Sequence, residues 1–301
     1  MAMAFAAYLV WGFLPLYWPL LRTAGAFEIL SQRIAWSMVL LVVLLAARGG
    51  FAAIRALGAR RLGLLTVASL LVGFNWGFYI WAVNHRHVVE TALGYFMNPL
   101  VSVLLGVFVL GERMRRAQWV AITIAGVAVL VLAVDHGRPP WIAISLASTF
   151  ALYGLVKKRA AVPPLTALAV ETGLLVAPAA GYLVWLEVHG LGSFGHVSRT
   201  TDALFIASGA VTAVPLLCFA GAANRIPLST LGLIQYVSPT LQFLCGVLVF
   251  HEPMAAPRWA GFFLVWIALA VFVVDQTVRA RVNAAGRSSA GSAASSPPRS
   301  R

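Results

Sequence analysis

Residues 93–119 read LGYFMNPLVSVLLGVFVLGERMRRAQW, and the chain is organised around that stretch. It has the length and apolarity of a membrane helix, with Pro99 near its start, Gly106 midway and a stop at Gly111-Glu112. Much of it returns as LCGVLVFHEPMAAPRW over residues 244–259, preceded by YVSP at 236–239. A shift of 140 residues superposes Pro99 on Pro239, Leu104 on Leu244, Gly106 on Gly246, Val107 on Val247 and Val109 on Val249. The same shift superposes Glu112 on Glu252, Met114 on Met254 and Trp119 on Trp259. An echo of this length points to an internal duplication.

Composition sets the environment. Of 301 residues, 61% are hydrophobic and 10% charged. A soluble domain of this length carries about a quarter of its residues as charges. Ten apolar segments can be drawn, at about 3–21, 27–47, 62–82, 88–110, 117–135, 140–156, 164–186, 201–223, 227–250 and 256–276. Their lengths approach the roughly 20 residues that cross a bilayer core. The fold expected is therefore an all-α membrane protein, with ten transmembrane helices as two five-helix repeats over 3–135 and 140–276. The start, MAMAFAAYLVWGF, has no charged leader region and reads as the first of these helices. From 277 to 301 the composition turns to Arg, Ser, Ala and Pro, which predicts a disordered tail. Cys218 and Cys245 both sit in apolar runs, which suits buried thiols better than a disulfide.

The net charge of +13 has a topological reading. With a cytoplasmic N-terminus, sixteen of the Lys and Arg residues fall in cytoplasmic connections and the tail, among them Arg48, Arg60, Arg115, Lys157, Arg159 and Arg225. Five fall outside: Arg22, Arg86, Arg138, Arg199 and Arg258. That bias puts both termini in the cytoplasm and requires no nucleic-acid partner. Five segments per half is odd, so the second half enters the membrane from the opposite side. Glu112 and its echo Glu252 then lie on opposite faces. This is the inverted-repeat arrangement of many secondary transporters.

At this point the residues match a known family. The stretch GFYIWAVNHRHVVETALGYFMNPLVSVLLGVFVLGERMRRAQW (77–119) resembles RarD-type proteins, EamA-domain members of the drug/metabolite transporter superfamily. EILSQRIAWS (28–37), FALYGLVKK (150–158), VPLLCFAGAA (214–223) and RIPLSTLGLIQYVSPTLQFL (225–244) carry the same resemblance, which runs from Tyr8 to Asp275. It implies ten helices in two EamA repeats, the bacterial inner membrane, and export or exchange of a small organic solute. One departure stands out. Relatives often carry a lysine after the Pro-x-Tyr-aromatic stretch, and this chain has Pro19 after Pro15-Leu16-Tyr17-Trp18. No role of that lysine transfers here.

Polar residues inside the apolar segments are the candidates for solute binding. Arg33 lies about six residues into the second segment, where a charge costs on the order of 2.5–3.5 kcal/mol at helix centre. It binds an anion in the path, or it snorkels to the outer headgroups. Glu171, in the seventh segment, carries a cation or coupling proton, or it is a structural carboxylate tied to Arg33 or to backbone. Asn98 precedes Pro99, whose missing N–H frees the carbonyl of Tyr95, and freed backbone beside a polar side chain marks a transporter site. Gln235, Tyr236, Ser238 and Pro239 repeat that device. Gly94, Ser102 and Gly106 share the Asn98 face and suit close helix packing equally well. Asn75 and Tyr79, one turn apart, and Trp11 and Tyr153, at matching places of the two halves, complete the expected lining. Trp76 and Trp81 offer faces to an aromatic solute. Trp18, Trp119, Trp141, Trp185 and Trp259 read as interfacial anchors.

His85 and His87 flank Arg86 in a short loop. Two histidines without a third ligand make a titrating loop, not a metal centre. The chain has no HExxH, GxSxG, GxxxxGK[ST] or paired-cysteine spacing, so neither a cofactor nor a metal is expected, and ATP is not a direct energy source. Three functions remain open on these residues. A secondary transporter of a small molecule fits the inverted halves. A membrane-embedded enzyme on a lipid or isoprenoid needs an acid/base set that nothing here specifies. A channel builds its pore from rings of like residues, which the dissimilar polar sets do not supply. The lining suits a flat or amphipathic organic molecule, and Arg33 favours a carboxylate. The partners expected are that solute and the bilayer, with the chain a monomer or weak homodimer.

Overall fold

The computed structural model describes residues 2–110, 116–135, 139–223, 234, 236–257, 259–268, 270–271, 274–275 and 278. Gln235, Glu112 and the tail from 279 onward lie outside the described residues. Among the described residues all regular structure is helical. In chain order the helices are α1 (Ala2–Tyr17, extended by a 3₁₀ turn at Trp18–Leu21), α2 (Ala26–Arg48), the short α3 (Phe51–Arg55), α4 (Ala59–Asn84) and α5 (Val88–Leu110). Then follow α6 (Arg116–Asp135), α7 (Trp141–Ala160), α8 (Pro164–Val188), α9 (Arg199–Ala223), α10 (Val237–Leu244, prolonged by a π-turn at Cys245–Val249) and α11 (Trp259–Ala268).

The apolar segments read from the sequence overlap described helices, of which 227–250 and 256–276 are described only in part. Among the described residues, five helices are long and apolar enough to cross a membrane: Ala2–Leu21, Ala26–Arg48, Ala59–Asn84, Pro164–Val188 and Arg199–Phe219. Phe27, Leu70, Phe108 and Val188 stand on the outside with more than half their surface bare. In water that would be a liability; on a multi-pass membrane protein it is the lipid-facing coat. The ends are set locally. Gly49 closes α2 in the left-handed conformation at φ 62°, its N–H returning to the Leu45 and Ala46 carbonyls. Pro164 opens α8 at a position that needs no N–H donor.

Hydrocarbon solvates apolar side chains as well as other helices do, so the helices associate through close packing and hydrogen bonds. Gly94 of α5 lies so near α7 that a Cβ there would sit 3.0 Å from the Ala143 carbonyl oxygen. Gly209 of α9 meets α2 more closely still, its would-be Cβ 2.5 Å from the Trp36 carbonyl carbon. The main packing pairs are α5–α7 and α4–α7, α1–α10 and α1–α9, α2–α9 and α4–α8, with α2–α8 and α5–α10. Exchanging α1, α2, α4 and α5 with α7, α8, α9 and α10 sends every one of these pairs onto another of them or onto itself.

One end of the bundle is stitched by carboxylates. Glu28 at the start of α2 accepts from the Ser193 N–H at 2.7 Å and its hydroxyl at 2.9 Å. Glu90 accepts from the Ile142 N–H at the start of α7 at 3.1 Å. Glu252, beyond α10, accepts from the first two amides of α5, Val88 at 2.6 Å and Val89 at 2.9 Å. Each satisfies helix-end or loop donors that have no partner in the helix itself.

Candidate solute site

Arg33 is only 4% exposed, so it does not snorkel to a headgroup. Its Nε donates to Thr212 Oγ1 of α9 at 2.6 Å. Its guanidinium lies over Trp76 of α4, 4.2 Å from the ring centroid, and 5.3 Å from that of Trp18. Aromatic faces attract a cation and cost little desolvation, which is how a lone charge is held at this depth. Trp18 is fully buried and not an interfacial anchor. The 3₁₀ turn that ends α1 folds it inward, whereas Trp119, Trp141 and Trp185 remain about half exposed near helix ends.

Glu171 of α8 is 1% exposed and is tied to α7, not to Arg33. The Tyr153 hydroxyl donates to its Oε2 at 2.9 Å, and Lys157 Nζ lies 3.1 Å from its Oε1. Lys157 also donates to the Tyr153 oxygen at 2.9 Å, closing a triangle. The Glu171 backbone carbonyl accepts from the Ser69 hydroxyl of α4 at 2.8 Å.

A file of rings runs between these two charged sites. Tyr79 and Tyr95 meet edge to face at 5.6 Å, as do Tyr95 and Phe150 at 6.4 Å, while Phe150 and Tyr153 are tilted to each other at 5.8 Å. Of the predicted residues, Tyr79, Tyr95, Tyr153 and Glu171 thus belong to one file across α4, α5, α7 and α8, and Arg33 of α2 interacts electrostatically with its Tyr79–Tyr95 end. Asn75 sits a turn from Tyr79, but its amide donates to the Leu146 carbonyl at 3.0 Å and to Thr149 Oγ1 at 2.8 Å, tying α4 to α7. Asn98 is half buried, and its Oδ1 has no hydrogen-bond partner.

Tyr236 lies apart from the file, whereas Trp11 packs against the core cluster that also holds Tyr79 and Tyr95. Trp11 packs on Tyr8 and Phe219, its carbonyl accepting from Gln242 at 3.1 Å. Tyr236 packs with the cluster around Phe243 and Phe262. The two proline sites differ as well. Pro99 lies within the continuous helix α5, whereas Pro239 sits in the first turn of α10, where no N–H is needed. His85 stacks on Trp81 at 4.7 Å, in an apolar corner with Phe78 and Trp141.

Sequence reasoning missed Trp18, Thr212 and Lys157. Thr212 and Ser208 are small polar residues four apart in an apolar run, a visible signal of a hydrogen-bonding stripe. Lys157 lies one turn beyond Tyr153, and a long side chain at a helix end can reach back.

Comparison with known proteins agrees with this architecture. Residues 1–134 match the EamA-like transporter family. The chain is 52% identical to Protein RarD of Streptomyces exfoliatus, over 92% of this chain and 89% of that one. It is 41% identical to an uncharacterised transporter of Vibrio cholerae, over 91% of each. A solved crystal structure covers 90% of this chain and 95% of its own at a TM-score of 0.58 and 20% identity, a likeness of fold. The chain belongs to the RarD-type proteins of the EamA-like transporter family, within the drug/metabolite transporter superfamily.

Proposed function

We propose that the chain is a secondary transporter that exports or exchanges a small organic solute across the bacterial inner membrane by alternating access. The observation that carries this reading is the file of rings between Arg33 and Glu171. A buried cation and a buried carboxylate stand on different helix pairs, joined by phenol and phenyl faces that stack on organic molecules. Membrane interiors tolerate charges of this kind chiefly along substrate and ion pathways. The exchangeable packing pairs support two equivalent halves that rock against each other around that file. The Lys and Arg bias supports opposite insertion of the halves and cytoplasmic termini. Asn98 and Gln235, beside the prolines, line the path in this reading, together with Tyr236, Trp11 and Asn75.

Solute counterflow into proteoliposomes tests the reading. Wild-type protein is expected to show saturable accumulation of labelled solute against preloaded unlabelled solute, and Tyr95→Ala to lose most of it. Turnover of lipid or solute by detergent-purified protein, with no flux in vesicles, would replace the transporter by a membrane-embedded enzyme.

A further inference from the structure

We propose that Arg33 is the docking group for the carboxylate of an organic monoanion, with Tyr79 and Trp18 as auxiliary donors. The inference rests on the reading of the Arg33–Glu171 file as a solute path, and it adds the chemical class of the solute. A guanidinium carries five N–H donors and no acceptor. Thr212 takes Nε, and among the described residues nothing accepts from the terminal nitrogens. No carboxylate of the described residues lies within ion-pair distance of Arg33. The ionisable groups that act on its charge are the phenols Tyr95 and Tyr79. The buried carboxylates are committed elsewhere: Glu28 to Ser193, Glu171 to Lys157 and Tyr153.

The neighbourhood also has spare donors. Trp18 Nε1 and the Tyr79 hydroxyl are both buried and without hydrogen-bond partners. An indole N–H can only donate. Terminal guanidinium N–H groups, an indole N–H and a phenol O–H thus stand in one neighbourhood, and among the described residues none of them has an acceptor, Thr212 taking only the Arg33 Nε–H. Such a surplus of donors around one positive charge matches a bidentate oxyanion. One guanidinium neutralises one negative charge, which favours a monocarboxylate over a phosphate dianion. The ring faces of Trp18 and Trp76 beside the guanidinium are the surface that an apolar or aromatic body attached to it would meet.

The test pairs each carboxylate with its neutral isostere. Benzoate and benzamide, then acetate and acetamide, are titrated into purified protein by calorimetry and thermal shift. At least one carboxylate is expected to bind roughly tenfold or more tighter than its amide, the scale of a charge-assisted hydrogen bond. Arg33→Gln is expected to erase that preference. Tyr79→Phe removes a hydroxyl that bonds nothing in the free protein, so it folds normally and weakens carboxylate binding about threefold. Equal affinity for acid and amide, no binding of either carboxylate, or a preference that survives Arg33→Gln overturns the proposal. The wild-type comparison decides even where Arg33→Gln does not fold. Counterflow separates the two readings. Carboxylate binding without counterflow keeps the anion site and removes the transporter. Counterflow of the amides alone keeps the transporter and removes the anion site.

Discussion

Lys157 and Glu171 form an ion pair in which the carboxylate is 1% exposed and the ammonium, 3.1 Å away, is 27% exposed. The partners are therefore not equivalent. Without the lysine, a carboxylate is stranded in the bundle with Tyr153 alone. Without the glutamate, the lysine still has water or headgroups within reach.

The asymmetry predicts unequal single mutants. Lys157→Met is expected to cost about 3 kcal/mol, the scale for leaving one partner of a buried pair alone. Glu171→Gln is expected to cost about 1 kcal/mol, because the Tyr153 hydroxyl keeps an acceptor. The double mutant should recover most of the Lys157→Met loss. Thermal or denaturant unfolding in detergent measures all three, and additive losses would mean that the two groups do not act as a pair.

If transport is coupled to protons, Glu171, the buried carboxylate of the proposed path, is the group expected to carry the proton. Its oxygens face Lys157 on one side and Tyr153 on the other. In proteoliposomes, Glu171→Gln is expected to retain solute counterflow and to lose uptake driven by a pH gradient. Gradient-driven uptake at the wild-type rate in that variant rules out the proton role.

Gly209 is expected to be intolerant of any side chain. Its would-be Cβ lies 2.5 Å from the Trp36 carbonyl carbon and 2.7 Å from the Trp36 oxygen, and backbone cannot move aside as a rotamer does. Gly209→Val should separate α2 from α9 and cost about 3 kcal/mol, the upper end of ordinary overpacking. Gly181→Ala, where nothing lies within 4 Å, should be silent or slightly stabilising. Melting temperatures that fall equally for both would contradict the close approach.

Orientation is testable with single cysteines in a background lacking Cys218 and Cys245. Arg86 is exposed in the connection between α4 and α5, and Arg159 is exposed in the last turn of α7, at the opposite end of the bundle. Arg86→Cys should react with an impermeant maleimide in spheroplasts. Arg159→Cys should react only after the membrane is opened. The reverse pattern would invert the assigned topology.

Helix positions were legible because membrane helices announce themselves by length and apolarity. Segment 27–47 became Ala26–Arg48, and 164–186 became Pro164–Val188. Individual polar residues were legible as buried, since Arg33 and Glu171 interrupt apolar text. Their partners were not. Trp18 and Arg33 are brought together by a tight turn whose inward direction has no sequence signature, and Thr212 comes from a helix 179 residues away. Lys157 counted as a loop charge, because a charge total cannot show which way a long side chain leans. Asn75 was legible as a buried polar residue, but the α7 acceptors of its amide, Leu146 and Thr149, were not.

The hold of Glu252 on the first amides of α5 sets an order of assembly. Those amides are 164 and 163 residues earlier in the chain. At ordinary synthesis rates, about 5–20 residues per second, α5 waits on the order of 10–30 s for the carboxylate that caps it. α1 waits longer still, for α9 and α10. The first half is therefore inserted well before it can be finished. A ribosome stalled beyond α6 would leave an uncapped, half-clad bundle in the bilayer, a ready substrate for membrane proteases.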